Sequence, residues 1–153
     1  MKFAESMKSV YITKYAVFKG RAGQSEYVNY FLFQLALFLL SLCLYRYQLE
    51  LALPVSIVVF IFTFIPGMAV TSRRLHDTGH SYSVVLKPFN YGGLSLITLK
   101  LAILLPANWF VFVLVVFFGF SIYSMYLSID ILIKLLFRKG QLEANKYGGP
   151  PIH

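Results

Sequence analysis

An apolar run leads directly into a dense cluster of charges at residues 51–81, which read LALPVSIVVFIFTFIPGMAVTSRRLHDTGHS. The twenty residues from Leu51 to Val70 are long enough to cross a bilayer as a helix. The charged segment that follows, residues 72–81, holds two arginines, two histidines and an aspartate in a chain that is only 13% charged. The pattern predicts a transmembrane helix that leaves the membrane at a strongly polar end.

The composition of the whole chain is that of an integral membrane protein rather than a soluble domain. Hydrophobic residues make up 58% of the chain and aromatic residues 18%, and the mean hydropathy is +0.69. These residues gather in long blocks, as they do in membrane-spanning helices. Residues 1–26 contain no continuous apolar core, so we expect no cleaved secretory signal. Cys43 is the single cysteine and cannot form a disulfide within this chain.

Four apolar stretches predict an all-α, polytopic membrane protein with four transmembrane helices. The first two are Tyr27–Tyr45 and Leu51–Val70, each close to the roughly 20 residues that cross the hydrocarbon core. The third, Val84–Leu105, contains Pro88–Gly93 and is either a broken helix that crosses or a helix with an interfacial segment. The fourth, Trp109–Leu136, would be about 42 Å long, which exceeds the bilayer thickness and predicts tilting or projection on one side.

Basic residues orient these helices. By the positive-inside rule, short loops rich in Lys and Arg stay in the cytoplasm. The segment before the first helix, the link between the second and third helices, and the C-terminal end are basic, whereas the first link carries only Arg46. Both termini are therefore predicted to be cytoplasmic. A re-entrant third segment would place the basic C-terminus outside, so four helices are preferred to three.

Three regions follow from this topology: a cytoplasmic amphipathic N-terminal segment (1–26), a transmembrane domain (27–137) with a cytoplasmic central loop (71–87), and a cytoplasmic tail (138–153). Apolar residues recur every three or four positions from Phe3 to Phe18, which predicts an amphipathic helix. That helix would lie on an anionic membrane surface or pack against the protein's own loops.

The arginines of the charged segment, Arg73 and Arg74, have two interpretations. As orientation signals beside a membrane-spanning helix they need no other role. As ligands, their planar guanidinium groups could bind a lipid phosphate through paired hydrogen bonds. The two roles are compatible.

The histidines of the charged segment point only weakly to a metal site or to catalysis. On a continuous helix His76 and His80 would share a face beside Asp77, but Gly79 is predicted to end the helix in the left-handed conformation. We therefore expect no metal site, and we expect His76 and Asp77 to hydrogen-bond to each other or to the backbone. Serine, histidine and aspartate are common in loops, so we expect no catalytic residue and no cofactor.

Three ionisable residues lie within the predicted membrane stretches: Lys100, Asp130 and Lys134. Such residues are functional candidates, because a charge inside a membrane is costly. Asp130 and Lys134 are one helical turn apart and are predicted to pair. Lys100 lies about 9 Å from the outer end of its helix, too far to reach Asp130. A serine face on the fourth helix is predicted to allow close helix packing, with a polar path as the alternative: Ser121, Ser124 and Ser128.

Three blocks of sequence carry a family resemblance. They are FKGRA at 18–22 followed by Glu26-Tyr27, RRLHDTGHS at 73–81, and the tail at 140–150 with Asn145, Tyr147, Gly148 and Pro150 in order. On these blocks the chain resembles the YhaH-type family of small bacterial inner-membrane proteins, which is defined as a domain of unknown function. The resemblance covers residues 18–150 and departs at Tyr82-Ser83, where the family usually has Gly-Trp. It implies a four-span body in the bacterial inner membrane and assigns no activity.

The three blocks would lie together on the cytoplasmic face of a four-span protein. Opposite charges there can pair, for example Arg21 with Asp77 or Arg74 with Glu26. The network would either lock the helix ends together or form a polar site for a phosphate-bearing ligand or a partner protein. The candidate residues are Arg21, Glu26, Arg73, Arg74, His76, Asp77 and Asn145.

These expectations favour a non-catalytic subunit, scaffold or regulator in the bacterial inner membrane, whose cytoplasmic face binds anionic lipid or phosphate. Its partners would be anionic membrane lipids and either further copies of itself or another membrane protein, but not nucleic acid. The alternatives are a small oligomeric channel or transporter, and an interfacial enzyme that acts on lipid headgroups.

Overall fold

The computed structural model describes residues 2–47, 49–104 and 106–151, and the regular structure in these ranges is helical. Met1 and residues 152–153, at the ends of the predicted N-terminal segment and tail, lie outside the described residues, as does Leu105, the predicted end of the third stretch. The elements are α1 (Phe3–Lys8) with a π-helical turn (Ser9–Thr13), α2 (Gln24–Tyr47), α3 (Leu49–Asp77), α4 (Ser83–Leu104), a 3-10 turn (Ala107–Trp109) and α5 (Phe110–Leu136).

Three helices in the described ranges are long and apolar enough to cross a membrane, not the four that were predicted. They cover Gln24–Tyr47, Leu53–Asp77 and Phe110–Leu136. At 22 residues α4 has the length, about 33 Å, but its sequence is less apolar because it includes two lysines and the polar stretch from Lys87 to Gly93. Membrane-type helices are therefore present, and a fourth crossing stays a prediction.

Of the two forms predicted for the third stretch, the broken helix is wrong, because α4 is continuous from Ser83 to Leu104. Pro88 lies in the second turn of α4, where its missing N–H removes a single intrahelical hydrogen bond. The carbonyl of Pro88 accepts a hydrogen bond from Oγ of Ser124 on α5 at 2.8 Å. The rings of Tyr91 and Tyr123 meet edge to face at 4.7 Å nearby. Ser121 and Ser128 instead donate to carbonyls of α5 itself, those of Phe117 and Ser124, so a packing role for the whole serine face stays a prediction.

The chain forms two compact units, Met1–Ser81 with Leu135–His153 (unit 1) and Tyr82–Lys134 (unit 2). In unit 1 the N-terminal segment packs on α2 and α3, with Ser6 and Val10 fully buried. The rings of Phe3 and Tyr11 lie 6.5 Å and 5.6 Å from that of Phe33 on α2. Burial raises the pKa of Tyr11 to about 12, so its hydroxyl remains protonated and able to donate.

The N-terminal segment therefore packs against the protein's own helices. It is not one helix from Phe3 to Phe18, as predicted, because helical structure ends at Thr13. Lys14 follows with φ −125° and ψ 35°, outside the helical region.

A belt of exposed apolar side chains surrounds the α2–α3 pair. It runs from Leu32 to Tyr47 on α2 and from Leu53 to Ile65 on α3. Beyond Pro66 most of α3 is buried as far as Asp77. Arg73 follows Ile65 by eight residues, so it lies about 12 Å beyond the apolar belt along the helix axis. The charges are thus in a packed end of the protein, outside its apolar belt.

The charged segment is largely helical, which corrects the predicted central loop of residues 71–87. α3 extends to Asp77 and α4 starts at Ser83, so the connection is residues 78–82. The arginines of the segment stay on the helix because their partners lie along its buried faces.

The end of α3 is a Schellman motif. The N–H of His80 donates to the carbonyl of Leu75 at 2.9 Å, and that of Gly79 donates to the carbonyl of His76 at 3.1 Å. Gly79 has φ +81°, where a side chain would be strained. The predicted helix-ending role of Gly79 is confirmed.

Candidate functional site

Asp77 lies between two arginines and is almost completely buried, with 2% of its surface exposed. Its Oδ1 accepts hydrogen bonds from Nε of Arg21 at 3.0 Å and lies 2.8 Å from Nη2 of that residue. Its Oδ2 accepts one from Nη1 of Arg74 at 2.5 Å. The predicted pair of Arg21 and Asp77 is therefore present, and both carboxylate oxygens of Asp77 are occupied.

Glu26 pairs with Arg73, not with Arg74 as the charge pattern predicted. Nη1 of Arg73 lies 2.9 Å from Oε1 of Glu26, which also accepts a hydrogen bond from Oγ of Ser9 at 2.9 Å. Neighbouring residues on a helix point about 100° apart, so the two arginines face different partners. Arg74 instead meets Asp77, three residues on.

Arg21 and Arg74 also hold the C-terminal part of unit 1 through its backbone. Nη1 of Arg21 donates to the carbonyl of Glu143 at 2.7 Å, and Nε of Arg74 donates to that of Leu135 at 2.9 Å. Their Nη2 groups donate to the carbonyls of Gln141 and Arg138 respectively. Every guanidinium nitrogen of Arg74 thereby has a hydrogen-bond partner, and the residue is completely buried.

His76 anchors the tail by a ring contact and a backbone contact. Its imidazole stacks on the ring of Tyr147 at 3.8 Å, and its Nδ1 lies 3.1 Å from the carbonyl of Gly20. The carbonyl of His76 accepts a hydrogen bond from Nδ2 of Asn145 at 2.9 Å. Of the two arrangements predicted for His76, the one with the backbone is present. Tyr147 was missed as its partner, although it lies in the same sequence block as Asn145.

Gly140 allows the tail to pass Asp77 closely. A Cβ added at Gly140 would overlap the carboxyl group of Asp77. The N–H of Gln141, the next residue, donates to the carbonyl of Asp77 at 2.9 Å. No periodicity in the sequence signals such a contact, because glycine here supplies space and not a side chain.

The site therefore consists of five charged residues that are buried from solvent, and unit 1 also carries exposed cations elsewhere. The buried residues, here called the buried charge cluster, are at most 6% exposed: Arg21, Glu26, Arg73, Arg74 and Asp77. The exposed basic residues of unit 1 near its N-terminal segment and tail are Lys2, Lys8, Lys19, Arg138, Lys139 and Lys146. Within the described residues, Nε and Nη2 of Arg73 are buried without a hydrogen-bond partner.

The predicted intramembrane residues, Lys100, Asp130 and Lys134, belong to unit 2. Nζ of Lys134 lies 2.5 Å from Oδ2 of Asp130, which confirms the predicted pair. Lys100 is exposed on α4. Over the residues that the structure describes, no group of three or more His, Cys, Asp or Glu is placed to hold a metal ion.

Comparison with known proteins identifies the family of the chain. No curated protein and no solved structure matches it. A family model described as a protein of unknown function (DUF805) matches residues 15–149 and so includes the first two blocks that carry the sequence resemblance and all of the third except Pro150. The chain belongs to this family.

Proposed function

We propose that the protein is a non-catalytic subunit, scaffold or regulator of the bacterial inner membrane. The observation that carries this proposal is that Arg21 and Arg74 both pair with Asp77 and also donate to carbonyls of the tail and of the end of α5. Through these internal hydrogen bonds and ion pairs, the side chains hold the tail against the end of α3. A general base would need an accessible carboxylate or imidazole, whereas Asp77 is sealed and His76 is stacked on Tyr147.

The proposed topology has four crossings with both termini in the cytoplasm. α4 would cross beside α5, to which Ser124 and Pro88 join it. Its length of about 33 Å is adequate for the hydrocarbon core, and an exposed lysine near a helix end can extend toward the headgroups. Further copies of the chain or another membrane protein would cover part of the apolar surface of these helices.

The proposed role of the exposed basic residues is to bind anionic lipid. Lys8, Lys19, Arg138 and Lys139 are exposed, unlike the buried arginines, and each basic residue near an anionic surface contributes about 1 kcal/mol. The attraction is diffuse and weakens with salt. Lipid attraction and internal fastening would thus use different residues.

Native mass spectrometry of protein extracted with mixed phosphatidylglycerol and phosphatidylcholine tests this division. Wild type is expected to retain more phosphatidylglycerol, and the double variant Arg138→Ala with Lys139→Ala is expected to lose most of that preference. Arg46→Ala, which removes an exposed cation at the other end of α2, is the matched control and should keep it. Equal retention of both lipids by wild type would contradict the proposal.

A further inference from the structure

We propose that the Nε–Nη2 edge of Arg73 binds one phosphate-type monoanion, either free phosphate or the phosphodiester of a lipid headgroup. This deepens the proposed anion-binding role of the polar face by placing a specific ligand inside the buried charge cluster. It differs from the diffuse attraction of lipid to the exposed lysines.

The geometry of the free donors indicates the class of ligand. Arg73 uses Nη1 for Glu26 and has no partner for Nε or Nη2 within the described part of the chain. These two nitrogens form the side edge of the guanidinium, whose parallel N–H groups match two oxygens of a phosphate or carboxylate. Arg73 is 1% exposed, so bulk solvent does not satisfy these donors.

The charge of the cluster indicates the charge of the ligand. Three buried arginines face two buried carboxylates, which leaves one positive charge without a counterion among the five residues. An isolated buried charge is unfavourable unless it is paired. A single negative charge restores neutrality, as a phosphodiester or a singly ionised phosphate would.

By pairing, the excess charge lies with Arg21 and Arg74, which share the one carboxylate of Asp77, whereas the unpartnered donors of the cluster are on Arg73. Arg21 and Arg74 also donate to backbone carbonyls of the tail and of the end of α5. Arg73 makes one hydrogen bond, to a carboxylate oxygen of Glu26 that also accepts from Ser9. Ser9 belongs to the π-helical turn that packs on α3. We therefore expect the anion to enter when this turn moves away from α3, and bound anion to exchange slowly with free anion.

Thermal unfolding of the full-length protein in a non-ionic detergent tests the site, with sodium phosphate compared with sodium chloride at equal ionic strength. A ligand bound by the folded state raises the melting temperature with the logarithm of its concentration. Wild type is expected to show this rise. Arg73→Lys keeps the charge but lacks the forked edge, and its apparent affinity for phosphate should fall at least tenfold. An absent rise in wild type, or an equal rise in Arg73→Lys, would overturn the proposal.

A second variant keeps the test informative if Arg73→Lys does not fold. Glu26→Gln removes the carboxylate beside the site, so phosphate should stabilise it more than it stabilises wild type. Equal or smaller stabilisation of Glu26→Gln would also overturn the proposal.

Two further measurements distinguish free phosphate from a lipid headgroup as the ligand, and binding at Arg73 from diffuse binding at the exposed basic residues. A short-chain phosphatidylglycerol that competes with phosphate in wild type identifies the headgroup as a ligand, and its failure to compete leaves free phosphate. The variant Arg138→Ala with Lys139→Ala should lose lipid preference yet keep the phosphate response. Loss of both responses in this variant would assign the anion to the exposed residues and refute a site at Arg73.

Discussion

Removal of the Asp77 carboxylate is expected to destabilise the folded protein strongly. In Asp77→Ala two buried guanidinium groups, of Arg21 and Arg74, lose their only carboxylate. Removing one partner of a buried ion pair costs about 3–5 kcal/mol. Arg21 keeps three carbonyl partners in the tail, and Arg74 keeps the carbonyls of Leu135 and Arg138. We therefore take the range for a single pair, about 3–5 kcal/mol, and not twice that value.

The free energy of unfolding can be measured by titration with sodium dodecyl sulfate in mixed micelles, with helicity followed by circular dichroism. Asp130→Ala is the matched control, because Asp130 also pairs with a cation but is 37% exposed. That variant should cost less than Asp77→Ala, because it leaves one partly exposed cation without its partner and not two buried ones. If Asp77→Ala costs no more than Asp130→Ala, the buried cluster does not fasten the tail, and the reasoning is refuted.

Three further substitutions probe individual contacts, each by its effect on unfolding. Gly140→Ala places a methyl group against Asp77 and should cost about 1–3 kcal/mol, whereas Gly149→Ala, which has open space, should be neutral. Tyr147→Leu removes the ring stacked on His76, should cost about 0.5–1.5 kcal/mol, and should speed proteolysis of the tail. Ser124→Ala removes the hydrogen bond to Pro88 and should cost about 0.5–1.5 kcal/mol; an unchanged stability would show that the α4–α5 contact does not depend on it.

Local signals in the sequence predicted the ends of elements better than their extents. Gly79 identified the end of α3 because a left-handed glycine is a short-range signal. The charges before it were assigned to a loop, since their buried partners lie 47 to 64 residues away in sequence. Likewise, Pro88 and the glycines after it made a broken helix one of the two predicted forms of the third stretch, whereas α4 continues through them.

The sequence predicted which residues belong to the candidate site, but it predicted less well which arginine pairs with which carboxylate. Opposite charges in blocks on one predicted face were enough to expect Arg21 with Asp77. Glu26 pairs with Arg73 and not with Arg74 because of the way the chain before α2 packs against α3. There the N–H of Ala22 donates to the carbonyl of Arg73 at 3.0 Å. Such tertiary contacts, and the space provided by Gly140, have no periodic signature in the sequence.

Hydrogen exchange of the tail tests most directly whether the buried cluster fastens it to α3. Mass spectrometry of a peptide covering residues 138–148 reports on the amide of Gln141, which donates to the carbonyl of Asp77. We expect this peptide to be protected in wild type and to exchange much faster in Arg21→Ala, because opening the fastened tail exposes its amides. Exchange at free-chain rates in wild type, or unchanged protection in Arg21→Ala, would contradict the fastening role of the cluster.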